Sequence, residues 1–267
     1  MYYLLSERFK EQETKLAALI QDCSEAEKIY LLGSSLHTTR TESVFMPDAP
    51  SCRKVSHYDV LVLVSSGEDA NAIQDKIENR CRSFIPVTAI VLAATTFMQW
   101  LTVHHRFAVT VSKKAVLLYG ANETEDKEGA SSPGVTAADN QSVYDEGLNK
   151  VKEFIAGAQL YMVRKQTKLA AFMLHQAAEQ ALRTIFEIHT GMYVNTHNLD
   201  KLVRYCGMVS YQVPGVFPGS NGKQLLLFQL LKEAYTGGRY KSDFVVHMDE
   251  LAAIMDTVQV LQGLMKA

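Results

Sequence analysis

The sequence predicts an α/β domain followed by an all-helical bundle. In the first half, two β-branched runs, VSHYDVLVLV at 55–64 and PVTAIVLA at 86–93, alternate with segments of helical composition, which is typical of a sheet covered by helices. In the second half, apolar residues recur at helical spacing over several long segments. Between the halves, residues 121–142 carry too few large apolar side chains to fold alone. We therefore predict domains at 1–120 and 143–267, joined by a linker at 121–142.

Composition restricts the partners of the chain. The 267 residues include 27 basic and 29 acidic ones, a net charge of −2, so no global positive field attracts nucleic acid, and any such role must be local. The cysteines Cys23, Cys52, Cys81 and Cys206 form no CxxC pair, which fits neither a zinc site nor a disulfide framework, and we expect reduced thiols. No apolar run approaches the length of a membrane span, and we expect a cytoplasmic protein without a membrane partner.

The first domain reads in order as helix, strand, strand, helix and strand. A helix is predicted at Leu5–Lys28, followed by a short buried strand, Ile29–Leu32, that turns sharply at Gly33-Ser34. The remaining segments are a loop at Ser43–Lys54, helices at Asp69–Arg82 and Thr96–Val103, an ambiguous apolar stretch at Arg106–Val111 and a short strand at Ala115–Tyr119.

The second domain is predicted to be a bundle of five helices separated by loops that carry Gly and Pro. Their predicted ranges are Tyr144–Arg164, Leu169–Thr190, His197–Cys206, Lys223–Thr236 and His247–Lys266. The second of these helices has an apolar face and an opposite polar face. We expect the polar face to be an exposed or shared surface, and it contains Phe172, Gln176, Glu179, Gln180 and Arg183.

The first domain contains two short motifs, Gly33-Ser34 and His57-Tyr58-Asp59, that are similar to those of a known family. They resemble the minimal nucleotidyltransferases of the DNA polymerase beta superfamily, in which a strand ends in Gly-Ser, the next strand carries Asp-x-Asp and a third carboxylate follows on another strand. In the family these acids hold Mg²⁺ and a triphosphate. Here His57 replaces the first Asp and the third acid falls near Thr88 or Ile90, so one carboxylate remains.

One carboxylate beside an imidazole is a poor Mg²⁺ site, because Mg²⁺ prefers hard oxygen ligands. The resemblance implies Gly33 and Ser34 as nucleotide-binding residues and Asp59 with His57 as degenerate catalytic residues. We expect no nucleotidyl transfer, and Mg²⁺ as a cofactor only if this domain is active. The alternative is that Asp59 is a partly buried polar residue without a function.

The second domain carries the motifs of another family, namely His175-Gln-Ala-Ala-Glu179-Gln-Ala-Leu-Arg183, His197-Asn-Leu199, and Tyr235 with Arg239-Tyr240. In this order they resemble the HEPN family, whose domains are also found fused to or encoded beside nucleotidyltransferase-like units. The resemblance implies an all-α bundle that dimerises and binds a nucleotide or RNA. It implies a binding site made of Gln176, Glu179, Arg183, Arg239 and Tyr240, with Arg183 or Arg239 on phosphate.

Ribonuclease members of that family carry an Arg followed, after four to six residues, by a His, and act without metal. Here Arg239 precedes His247 by seven intervening residues, so this pair is an alternative catalytic assignment. Arg183 and His189 have a formally correct spacing, but their side chains diverge on one helix. We expect no metal site at His104-His105, or at His175, His189 and His197, where Asn195 or Thr196 with His197 suggests a helix start.

Together these observations predict a nucleotide- or RNA-binding protein of toxin–antitoxin or stress-response type with an inactive first domain. The alternatives are a metal-independent ribonuclease and a dimerising interaction protein without catalytic activity.

Overall fold

The computed structural model describes residues 7–39, 52–65, 69–121, 137–217 and 222–266. The chain forms two compact units, Met1–Pro133 and Gly134–Ala267. The first unit is α/β and the second is helical, so the predicted mixture of a sheet-containing part and a helical part is confirmed.

The first unit consists of eight elements within the described residues. They are α1 (Glu7–Gln21), β1 (Ala26–Thr39), β2 (Cys52–Val64), α2 (Ala70–Cys81), β3 (Val87–Ala93), α3 (Ala94–Thr102), α4 (Arg106–Lys114) and β4 (Val116–Tyr119).

The four strands form one mixed sheet in the order β3-β2-β1-β4. Strand β1 runs antiparallel to both β2 and β4, whereas β2 and β3 are parallel and are connected through α2. The run Val60–Val64 in the central strand β2 is at most 2% exposed, which explains its continuous apolar sequence. Helices α1 and α2 contribute Leu16, Ile20 and Ile77 to the core that covers the sheet.

Strand β1 differs from the prediction at both ends. The first helix ends at Gln21, because the Ser24 hydroxyl and backbone N–H both donate to the Ile20 carbonyl and close its last turn. The strand then continues through Gly33-Ser34 as far as Thr39, so the predicted sharp turn is wrong. A register shift between Leu31 and Gly33 marks a bulge, and glycine is well suited to a bulge inside a strand.

Other parts of the first unit refine the prediction. The ambiguous stretch at Arg106–Val111 lies within α4, and α3 begins at Ala94. Of the predicted loop at Ser43–Lys54, residues 52–54 belong to β2 and the others lie outside the described residues. Cys23 and Cys81 are buried free thiols, and burial raises the pKa of the Cys81 thiol to about 11. The side chain of Cys52 lies outside the described residues.

The second unit is a helical bundle. Its elements are α5 (Ala137–Val163), α6 (Thr167–Thr190), α7 (Leu199–Gly207), α8 (Val213–Val216), α9 (Gly222–Tyr240) and α10 (Met248–Gly263). Helix α6 is central and packs against α5, α7, α9 and α10. Its apolar face is fully buried and includes Leu174, Leu182, Ile185 and Phe186.

Several helix boundaries differ from the prediction. Helix α5 begins at Ala137, inside the segment predicted as a linker, and α9 continues to Tyr240. Helix α7 begins at Leu199 with Asn198 as its N-cap, because the Asn198 side chain accepts a hydrogen bond from the backbone N–H of Lys201. The suggested helix start at Asn195, Thr196 or His197 is therefore wrong by one to three residues.

The described ranges contain no helix both long and apolar enough to cross a membrane. Cys206 of α7 is also a buried free thiol, and burial raises its pKa.

Two glycines allow the end of α9 to approach its neighbours closely. A Cβ atom on Gly238 would lie 2.7 Å from the backbone oxygen of Lys168 in α6, and one on Gly237 would lie 2.6 Å from the Phe244 ring. The Lys168 ammonium donates to the carbonyls of Lys241 and Ser242 just beyond α9. The last turn of α9 is thereby held against the first turn of α6.

We predict that Gly238→Ala lowers the melting temperature. Alanine favours a helix interior over glycine by about 1 kcal/mol, but a methyl group forced against the Lys168 carbonyl costs about 1–3 kcal/mol. Gly263→Ala, also in a helix but with no atom within 4 Å of the added Cβ, is the matched control and should leave the melting temperature unchanged or raise it. An equal rise in both variants, measured by thermal unfolding, would contradict the close packing of α9 on α6.

Candidate functional site

A strip of three charged or titratable side chains runs along one face of α6. His175, Glu179 and Arg183 are four residues apart, a spacing that stacks side chains on one side of a helix. They are 1%, 1% and 7% exposed. The expectation of an exposed polar face is therefore wrong for Glu179 and Arg183, whereas Phe172, Gln176 and Gln180 are half-buried.

The Glu179 carboxylate is the centre of this strip. Its Oε1 lies 2.9 Å from an Arg183 Nη, and its Oε2 lies 2.9 Å from His197 Nδ1 and 3.5 Å from His175 Nε2. His197 belongs to the segment between α6 and α7. A buried carboxylate requires such partners, because the loss of hydration is otherwise uncompensated.

Opposing effects act on the Glu179 carboxyl group. Burial tends to raise its pKa, but the close contacts with His175 and His197 and the charge of Arg183 prevail and hold the pKa below its usual value. The carboxylate is therefore ionised at neutral pH, despite its burial.

The rest of the Arg183 guanidinium binds the segment that follows α6. One Nη donates to the Thr196 carbonyl at 2.9 Å and the other to the Tyr193 hydroxyl at 3.3 Å. The structure thus places Arg183 inside the unit with three partners, where it fixes the connection between α6 and α7.

The ring of Tyr235 on α9 joins the buried strip to the surface. The His197 ring stacks on it, with centroids 4.7 Å apart and an interplanar angle of 20°, and the His175 ring is tilted against it at 5.1 Å. His175 also contacts α9 directly, because its Nδ1 lies 2.9 Å from the Leu231 carbonyl. The side chain of His197 is 50% exposed.

Arg239 lies on the same side of α9, one turn beyond Tyr235. Its guanidinium carbon is 4.2 Å from the centre of the Tyr235 ring, 4.8 Å from that of Tyr240 and 5.0 Å from that of Phe172. Its Nε donates to the Tyr235 carbonyl, which orients the planar group. Arg239 is exposed, and none of the described carboxylates forms an ion pair with it.

His247 has a different position from that of the other histidines. It is exposed and precedes α10, where its backbone N–H donates to the Glu250 carboxylate. No hydrogen bond or ion pair joins it to Arg239 in the described part of the chain. His189, the remaining histidine considered above, bonds through Nδ1 to the Ile185 carbonyl of its own helix.

Three polar residues of the first unit, His57, Asp59 and Thr88, lie close together on the neighbouring strands β2 and β3. His57 Nε2 lies 2.8 Å from the Thr88 hydroxyl and 3.4 Å from an Asp59 oxygen, and the parallel register aligns Asp59 with Thr88. The side chains of His57 and Asp59 are 23% and 13% exposed. Thr88 is fully buried.

Gly33 lies against the Asp59 side chain, because a Cβ atom at Gly33 would be 3.3 Å from an Asp59 carboxylate oxygen. Gly33 pairs with Asp59 in the register of β1 and β2, yet Gly33 and Ser34 line a cleft of ≈ 200 Å³ whose other walls come from β1, α4 and β4. The lining residues of this cleft are Leu31, Leu32, Gly33, Ser34, Thr110, Val111, Lys114, Ala115 and Val116. His57 and Asp59 do not line it.

No group of three or more His, Cys, Asp or Glu side chains in the described ranges is placed to hold a metal ion. His104 and His105 lie between α3 and α4, where the His105 ring stacks on Trp100.

The sequence interpretation did not identify His175, His197 and Tyr235 as members of the site. Two patterns could have indicated His175 and Tyr235. The spacing of four residues between His175, Glu179 and Arg183 puts all three on one helix face, and the same spacing puts Tyr235 beside Arg239. That His197 turns back towards Glu179 depends on the path of the segment after α6, which has no comparable pattern.

Comparison with known proteins identifies the second unit. Residues 144–266 match the HEPN domain family, so the helical C-terminal region contains a HEPN domain. The match does not include residues before 144. No curated protein matches the chain.

We predict that Glu179→Gln destabilises the folded protein by about 3–5 kcal/mol at pH 7, because it leaves the buried Arg183 charge without its partner. Glu146→Gln is the control, since Glu146 forms the same i,i+4 pair with Lys150 but on the surface, where we expect little change. Urea denaturation monitored by circular dichroism measures both. Equal stability of the two variants would show that the buried pair does not hold α6 in place.

The Glu179 carboxyl group should also make the stability of the folded protein depend on pH. Because the pKa of Glu179 is lower in the folded than in the unfolded state, its stabilisation is complete above the unfolded value and is lost as pH falls through the folded value. The stability of the wild type should therefore decrease more steeply on acidification than that of Glu179→Gln. Parallel curves from pH 7 to pH 3 would contradict this assignment.

Proposed function

We propose that this chain is a nucleotide- or RNA-binding protein whose HEPN domain carries the binding surface and whose N-terminal domain is nucleotidyltransferase-like and inactive. HEPN domains are generally RNA-binding or ribonuclease-like. The observation that carries the proposal for this chain is the exposed guanidinium of Arg239, which is stacked among three aromatic rings and lacks a carboxylate partner among the described residues.

Such an arrangement suits a phosphate with an attached base. A guanidinium without an intramolecular carboxylate can bind phosphate oxygens through two parallel hydrogen bonds. Tyr240 beside it is 76% exposed, so its ring can accept a stacked base, which contributes about 1–3 kcal/mol per base in single-strand-binding proteins. The binding surface therefore contains Arg239, Tyr240 and Phe172.

In the HEPN domain, the sequence suggested five binding residues, and we assign them two different roles. Arg239 and Tyr240 contact the ligand. Glu179 and Arg183 are buried and hold the elements that carry the surface, while Gln176 is half-buried on the same helix.

The side chains of the N-terminal domain support the proposal that it does not transfer nucleotides. The minimal nucleotidyltransferases carry acids at the positions that correspond to His57, Asp59 and Thr88, and these three side chains lie together here. Because only Asp59 supplies a carboxylate, the set offers little of the negative charge that two bound Mg²⁺ ions require. Nucleotide binding by Gly33 and Ser34 would use the cleft beside α4, which His57 and Asp59 do not line.

In this proposal the chain is cytoplasmic, forms a homodimer through the HEPN domain and acts in a toxin–antitoxin or stress-response system, as its sequence predicts. Catalysis by Arg239 with His247 is the alternative, and their lack of any direct hydrogen bond in the described part of the chain does not favour it.

We predict that Arg239→Ala weakens the binding of a labelled single-stranded RNA by about tenfold or more, because it removes both a phosphate contact and a stacking surface. Arg239→Lys should recover only part of the affinity, since it keeps the charge but not the plane. Fluorescence anisotropy at several salt concentrations measures both effects.

The control variant is Lys152→Ala, which removes the same charge from an exposed position on α5. It should bind RNA almost as the wild type does. Equal weakening by Lys152→Ala and Arg239→Ala would indicate a diffuse charge effect. No binding of RNA, ATP or GTP to the wild type would contradict the proposed function.

We also predict that the protein transfers no nucleotide. Incubation with radiolabelled NTPs, Mg²⁺ or Mn²⁺, and RNA or protein acceptors should leave the acceptors unlabelled. Label that is transferred by the wild type and lost in Asp59→Ala would show that the N-terminal domain is active with a reduced set of acids.

A further inference from the structure

We propose that the cleft beside α4 in the N-terminal unit binds a small apolar monocarboxylate, with the hydrocarbon tail inside the cleft and the carboxylate at Lys114. The cleft has a volume of ≈ 200 Å³, and Gly33 and Ser34 belong to its lining. This ligand is of a different class from a nucleotide. The proposal does not depend on RNA binding at Arg239, which belongs to the other unit.

The cleft follows from the short length of β4. This strand has four residues and pairs with β1 over residues 29–31, where Val116 lies opposite Leu31. Strand β1 has 14 residues and continues beyond Leu31, and no described strand pairs with this continuation on the side away from β2. The last turn of α4 lies beside β1 there in place of a strand, and the space between them is the cleft.

The lining of the cleft is mainly apolar. Five of its nine lining residues are aliphatic, namely Leu31, Leu32, Val111, Ala115 and Val116. Val116 is 48% exposed, so part of this apolar surface is in contact with water. A hydrocarbon group that enters the cleft removes apolar surface from water, and the gain in free energy grows with the area buried. The ligand should therefore be largely apolar.

Lys114 is the one charged residue of the lining. It is exposed, and none of the described carboxylates forms an ion pair with it. Thr110, one turn earlier on α4, and Ser34 on β1 also line the cleft, and their hydroxyl groups can donate to an anion. The few polar groups of a small-molecule site usually fix the orientation of the ligand. Here they favour an anionic head group at the exposed end of the cleft.

The charges at the end of α4 suit a single negative charge. The carbonyl end of a helix carries about half a negative charge, whereas Lys113 and Lys114 in the last turn carry two positive charges. Asp59 lies against Gly33 but does not line the cleft. A lysine ammonium is a point charge without the planar fork that matches phosphate, and one ammonium does not balance the several charges of a triphosphate. A monocarboxylate carries the matching charge.

The volume of the cleft limits the length of the tail. It corresponds to roughly seven water molecules at about 30 Å³ each, and a methylene group is of similar size. A tail of about seven carbon atoms, as in octanoate, therefore fills it. Each CH₂ group that is buried should tighten binding by about fourfold. Carbon atoms beyond this length remain in water and should add little.

The test is a titration of the full chain with butanoate, hexanoate, octanoate and decanoate, followed in ¹H–¹⁵N NMR spectra. We expect saturable shifts at residues 31–34 and 110–116, and an affinity that rises up to octanoate and then levels off. The uncharged 1-octanol should bind the same residues more weakly. No shift at these residues with any of the four acids, or an affinity that rises as steeply from octanoate to decanoate, would overturn the proposal.

Lys114→Met tests the head group. Methionine keeps an apolar side chain and removes the ammonium, so octanoate should bind about three- to tenfold more weakly, whereas 1-octanol should bind as it does to the wild type. Lys113→Met, which removes the adjacent charge from outside the lining, is the control and should change octanoate binding by about twofold at most. Equal weakening in both variants would overturn the role of Lys114.

Ala115→Phe tests the cleft itself. The larger side chain should fill the cleft and abolish the binding of both octanoate and 1-octanol. Ser112→Phe, at an exposed position of the same helix outside the lining, is the control and should bind both ligands. Circular dichroism shows whether each variant is folded, and the exposed Lys114→Met variant provides the test if Ala115→Phe is not. Octanoate binding by folded Ala115→Phe would overturn the site.

The result also separates this proposal from the proposed function. Shifts at residues 31–34 and 110–116 with ATP but with none of the acids would overturn the carboxylate and assign a nucleotide to the cleft. RNA binding at Arg239, measured by anisotropy, should be the same in the wild type and in Lys114→Met. Loss of RNA binding in Arg239→Ala with unchanged octanoate binding would show that the two sites are independent.

Discussion

The HEPN domain depends on one buried carboxylate. Glu179 lies at the centre of α6 with 1% of its surface exposed, and it remains ionised because Arg183, His197 and His175 surround it. Each contact also holds an element in place. Arg183 extends to the Thr196 carbonyl and so fixes the segment between α6 and α7, while His175 bonds to α9. A buried ion pair gives little net stability compared with an apolar core, so its main consequence here is orientation.

Tyr235 connects the buried network around Glu179 to the exposed Arg239 side chain. The ring is packed against both histidines of the network, and Arg239 lies against it one helical turn later. Gly237 and Gly238 permit this arrangement because a Cβ at either position would collide with Phe244 or with the α6 backbone. The exposed guanidinium is therefore held by packed groups on α6 and α9, and little side-chain entropy would be lost if it bound an anion.

How much the sequence predicts depends on how local the determining interactions are. The helices and the strands rich in β-branched residues follow from periodicity and composition, and the HEPN motifs were sufficient to predict the second domain. Glu179 and Arg183 were expected on an exposed face, because periodicity separates apolar from polar side chains and does not show whether a polar face is covered. Their burial requires His197, Tyr193 and Thr196 as partners, and these lie in the segment after α6. Gly33 has a similar explanation, since a glycine predicts a turn and a bulge equally well until the partner strand is known.

RNA binding at the Arg239 stack of the HEPN domain can be tested by ¹H–¹⁵N NMR spectra of the full chain, recorded during titration with a short single-stranded RNA. We expect the shifted signals to concentrate at Phe172, His197 and residues 235–240, and the contact between His197 Nδ1 and Glu179 to persist. Shifts confined to Gly33, Ser34 and their neighbours, or spectra that do not change at saturating RNA, would contradict it.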